Sequence, residues 1–158
     1  MRKMNKIVIA TLLSIIFNGL AQGAYISENL ASKVARSIFI ENQQLHNRED
    51  FIISNIETIK SDNIDLIYIF HLVPEGFILV PADNNAVPNL AFGFDNSFDA
   101  LNMPPSLDIL FNNYKSDILD IVNQFSEPSN EIINQWNYYL AENVQPRKER
   151  DVSALLDA

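Results

Sequence analysis

The segment Asp65 to Val73 constrains the fold of this chain more than any other. An extended backbone there places Leu66, Tyr68, Phe70 and Leu72 on one side, and Ile67, Ile69, His71 and Val73 on the other. Both faces are largely apolar, so the strand belongs in the middle of a sheet. Pro74-Glu75-Gly76 then reads as a hairpin turn, because proline fixes φ and glycine supplies backbone freedom. Phe77 to Val80 returns antiparallel. Pro81 lacks a backbone donor and is expected at a strand end or on an edge.

Two further strands flank this hairpin. Phe51 to Ile59 is rich in β-branched residues, although Asn55 weakens it, and Asp62-Asn63 marks the turn that follows. Ala82 to Pro88 reads as a polar turn, and Asn89 to Phe94 as a fourth, short strand.

Helical spacing governs the rest. Ser27 is a fair N-cap, and Leu30, Val34 and Ile38 follow on one stripe, with Ala31, Ala35 and Phe39 beside it. Lys33, Arg36 and Glu41 are expected to face water. This helix fades in the polar connector Gln43 to Asn47. After an irregular stretch from Ser97 to Pro105, a stripe runs through Leu107, Leu110, Phe111, Tyr114, Ile118, Leu119, Val122 and Phe125. Pro128 and Ser129 open a last helix, with Ile133, Trp136 and Leu140 at helical spacing. The predicted class is α+β: an antiparallel sheet of about four strands with helices packed on it.

The first residues read differently. Arg2, Lys3 and Lys6 precede an uncharged run, Ile7 to Phe17, and then a polar, small-residue region through Gly23. That is the order of an export signal, and the run is too short for a membrane span. The expected organisation is a signal at 1–23, a domain over 24–144 and a linker-like tail over 145–158. A secreted or periplasmic location follows. Of 11 Lys+Arg and 20 Asp+Glu, removing three basic residues leaves 8 against 20, a net charge of −12. That balance disfavours nucleic acid and anionic membrane as partners and permits an electropositive one.

No cysteine is present, so disulfides, cysteine nucleophiles and thiolate metal sites are excluded. No Gly-x-Ser-x-Gly elbow or phosphate-cradling loop occurs, and nothing joins His46 or His71 to a nucleophile. Asp83-Asn84-Asn85 and Asp95-Asn96 lack the spacing of a calcium loop and are better read as turn chemistry. The expectation is a binding module without catalytic residues, metal or cofactor.

The central stretch resembles a known family. Its residues are Tyr68-Ile69-Phe70-His71, Glu75-Gly76-Phe77-Ile78-Leu79-Val80-Pro81-Ala82-Asp83, Pro88-Asn89-Leu90-Ala91-Phe92 and Ser97-Phe98-Asp99, followed by Met103-Pro104-Pro105-Ser106 and a helix through Tyr114. In order and spacing these are similar to the Spi-type inhibitor domain, the propeptide of streptopain-like cysteine proteases, which also occurs as free-standing inhibitors in bacteria. The likeness runs from residue 27 to 158, and Val152 to Asp157 looks like the segment just before a mature protease begins. The resemblance implies a non-enzyme whose partner is a streptopain-like cysteine protease. It further implies that the loop before the long helix enters the protease cleft, with Asn102, Met103, Pro104, Pro105 and Ser106 as the contacts. Ser106 falls near where the family often carries asparagine, and its side chain is shorter and has no amide. The alternative is the propeptide of a truncated protease, acting in cis for folding and latency.

Overall fold

The computed structural model describes residues 24–124, 127–141 and 143–147. The signal expected at 1–23, Phe125 and the Val152 to Asp157 segment lie outside them. Among the described residues, helix α1 (Glu28–Asn42) leads through a 3-10 turn (Gln43–His46) into strands β1 (Ile53–Ser61), β2 (Ile64–Leu72), β3 (Phe77–Pro81) and β4 (Ala91–Gly93). Helices α2 (Pro105–Gln124) and α3 (Asn130–Leu140) follow. The sheet is an antiparallel meander in the order β1-β2-β3-β4, which is the α+β architecture the patterning predicts.

The two-sided strand explains the layering. Tyr68, Phe70 and Leu72 of β2, with Ile78 and Val80 of β3, pack against Val34, Ile38 and Phe39 of α1 and Trp136 of α3. Ile67, Ile69 and Leu79 project the other way and meet Phe111 and Ile118 of α2. Alternation along two adjacent strands therefore splits the core into two apolar layers, one on each face of the sheet. Leu66 departs from the expected alternation by joining the α2 side.

Local chemistry fixes the boundaries. The Ser27 hydroxyl accepts from the Leu30 amide, so the expected N-cap is in place, and the Ser129 hydroxyl likewise accepts from the Ile132 amide and caps the helix it was expected to open. Asn55, the residue that weakened the first strand, marks an irregularity in pairing: Ile53 faces Leu72, yet Asn55 faces His71. The strand accordingly runs two residues later than its composition predicts.

Gly76 adopts φ +123, where a Cβ would lie 2.9 Å from the Gly93 carbonyl oxygen. Arg48 closes the same corner by donating to the carbonyls of Val73, Glu75 and Phe94. Pro81 is the last residue of β3, as expected. Beyond it the first described residues extend the edge: the Ile26 amide donates to the Ala82 carbonyl, and Tyr25 bridges Asp83.

One expectation fails here. Glu41 does not face water; it is 9% exposed and accepts from the Tyr139 hydroxyl at 2.8 Å and from Arg147 at 3.1 Å. Its position three residues after Ile38 put it on the buried stripe, and partners from the far end of the chain satisfy its charge. The Ala82 to Pro88 turn is present as expected and is largely buried, with the Trp136 indole donating to the Ala86 carbonyl at 2.9 Å.

Candidate functional site

Between β4 and α2 the chain leaves the sheet and returns through residues 94–104. Two side chains anchor this loop. Phe98 turns inward, its ring centroid 5.0 Å from that of Phe77 and 5.3 Å from that of Phe111. Met103 packs against the same α2-side layer. Between these anchors Asp99 folds the loop on itself. One carboxylate oxygen accepts from the Leu101 amide at 2.9 Å, the other from the Asn102 side-chain amide at 2.7 Å. These bonds, the Asn102 contact foremost, hold the Asp99 carboxyl below the usual carboxylate range.

Helix α2 begins directly after the loop. The Pro104 carbonyl accepts from the amides of Leu107 and Asp108, and Pro105 takes the first helical position, where a missing donor costs nothing. A groove of about 220 Å³ lies along this junction, with Phe77, Leu79 and Ala91 of the sheet as its floor and Leu107, Leu110 and Tyr114 of α2 as one wall. The Tyr114 hydroxyl donates to the Leu90 carbonyl at 3.2 Å and so ties that wall to the approach to β4.

The five residues nominated from the sequence are contiguous but not equivalent. Asn102, Met103 and Pro104 line the groove. Pro105 and Ser106 are exposed residues of the first turn of α2. Met103 is partly buried, and the Asn102 side-chain amide is directed back at Asp99.

The sequence places Leu107 and Leu110 on a continuous apolar stripe, the pattern of a core-facing helix. They are instead 48% and 45% exposed, and Ile109 is 62% exposed. Among the described residues of α2, only Phe111 and Ile118 are fully buried. Leu101, which sequence reasoning did not nominate, is 91% exposed. The available signal was the clustering of apolar residues around Pro104-Pro105, which a helical period assigns wholly to the core.

The histidines lie elsewhere. His46 contacts Asp95 at 3.1 Å and meets the rings of Phe92 and Phe94 edge-on. His71 Nε2 lies 3.5 Å from Glu57. Ser54 is adjacent to His71, yet its hydroxyl donates to the His71 main-chain carbonyl, not to the ring. That arrangement does not provide a base for a nucleophile. Among the described residues, no His, Asp and Glu cluster could hold a metal ion, and no helix is long and apolar enough to cross a membrane.

The family model described as Spi protease inhibitor matches residues 23–118, more than half of the chain. The matched span contains α1, the whole sheet, the 94–104 loop and the first part of α2, and it ends before α3. No curated protein and no solved structure matches the chain.

Proposed function

The chain belongs to the Spi protease inhibitor family, and on that footing we propose that it is an exported, reversible inhibitor of a streptopain-like cysteine protease that blocks the cleft with residues 102–106. One observation carries the proposal. The segment from Asp99 to Ser106 is largely exposed yet is fixed at both ends, by Phe98 and the Asp99 bonds on one side and by the first turn of α2 on the other.

A loop held in one conformation before encounter loses little entropy on binding, which is how a short segment can inhibit at low concentration. Pro104 and Pro105 restrict the backbone further. The chain has no cysteine, so it has no thiolate with which to carry out the chemistry of the enzyme it would block. Its carboxylate excess favours approach to a basic cleft rim. Export through the 1–23 segment would place the protein in the periplasm or outside the cell.

The test is an inhibition assay of residues 24–158 against streptopain, with folding confirmed by circular dichroism. Submicromolar inhibition is expected. Ser106→Trp adds bulk at an exposed position of the first helical turn, so it should weaken inhibition by about 10-fold or more while leaving the fold intact. Unchanged potency would remove this loop as the blocking element.

A further inference from the structure

The surface around the loop carries few charges for so acidic a chain. From Ala100 to Tyr114 the only charged residue is Asp108, and the next charge is Lys115. Within that stretch Leu101, Leu107, Ile109 and Leu110 are all exposed large aliphatics, and Pro104 and Pro105 are exposed between them. Single exposed leucines are ordinary, but Pro104, Leu107 and Leu110 line one groove, and Leu101 lies exposed on the loop that borders it, an apolar patch of the kind that marks a contact surface.

Leu101 stands apart within the patch. It is 91% exposed, and the Asp99 carboxylate accepts its main-chain amide, which fixes its backbone without covering its side chain. A turn tip ordinarily carries glycine, asparagine or another polar residue, so the hydration cost of this leucine has no return within the monomer. We infer that Leu101 is the specificity-determining anchor of the inhibitor and inserts into an apolar pocket at the rim of the target protease's cleft, with Leu107 and Leu110 on the surrounding contact surface.

The assignment rests on the inhibitory reading of the loop and goes beyond it by naming the residue and the chemistry it meets. A protease is the occupant because the chain belongs to a family of protease inhibitors and because the patch adjoins the proposed blocking segment. A buried aliphatic anchor surrounded by contacts that exclude water is the usual source of most of an interface's affinity.

The experiment measures inhibition constants against streptopain for residues 24–158 as wild type, Leu101→Met, Leu101→Ala and Leu101→Asp, with thermal melts and sedimentation of each. Leu101→Met should stay within about 3-fold of wild type, Leu101→Ala should weaken inhibition by about 10-fold, and Leu101→Asp by about 100-fold or more. Melting temperatures should not change, since the side chain is in water. Wild-type potency in Leu101→Asp overturns the anchor while leaving the inhibitor reading intact. So does a wild-type dimer that Leu101→Asp dissociates without loss of potency, because the patch then serves self-association. A folded wild type that fails to inhibit overturns both.

Discussion

Asp83 is buried in the turn that Trp136 seals, and one of its carboxylate oxygens accepts from the Asn85 amide at 2.8 Å. Burial raises its pKa, and the amide bond offsets this only in part. A carboxyl whose pKa is raised by folding contributes stability below its unfolded pKa and loses it as pH rises through the folded value. At neutral pH the ionised Asp83 therefore opposes folding. Asp83→Asn keeps an oxygen that can accept from the Asn85 amide and removes the charge. It should raise the melting temperature by about 2–4 °C at pH 7, and the gain should shrink to nothing in acid below the usual carboxylate range. Melts from pH 3 to 7 check both the sign and the window. No sequence pattern indicates this behaviour, because Asp83-Asn84-Asn85 reads only as a turn until Trp136 covers it.

At the scale of elements, strands and helices were legible where a period was sustained. The two-sided pattern of 65–73 places β2 between two layers, and Ser27 and Ser129 mark the helix starts correctly. The weaker readings were the short edge elements and α2. Strand β4 has only three residues, because its pairing with β3 reaches only from Phe77 to Leu79. The stripe on α2 is longer than the surface available to bury it, which leaves its first turns exposed beside the loop. A helical period gives the direction of a side chain but not whether another element lies there to receive it. The β2–β3 corner is different, since its geometry is demanded by one residue. Gly76→Ala would strain φ +123 and press a Cβ against the Gly93 carbonyl. It should cost about 2 kcal/mol or more, read as a lower denaturant midpoint at unchanged slope.

For the molecule as a whole, the matched family span ends before α3, yet α3 completes the core. Trp136 is buried among α1 and the sheet, and Tyr139 donates to the carboxylate of Glu41, which also receives Arg147. This cluster joins the first helix to the chain after α3. Burial and the bond to Glu41 push the Tyr139 hydroxyl up to about 12, so it remains a donor across the working range. Glu41→Ala leaves that hydroxyl and the Arg147 guanidinium without their acceptor and should cost about 2–3 kcal/mol, moderated because Arg147 is half in water. Chemical denaturation checks it, and the inhibition constant should not change in the variant that still folds. The central claim, a preorganised loop that occupies a cysteine protease's cleft, is tested most directly by protection of the catalytic thiol. Streptopain is incubated with residues 24–158 and then challenged with an alkylating reagent, and modification of the protease cysteine is followed by intact mass. Protection should saturate at one inhibitor per protease and reverse on dilution. Alkylation at the unprotected rate, with the protein folded and in excess, would contradict that claim.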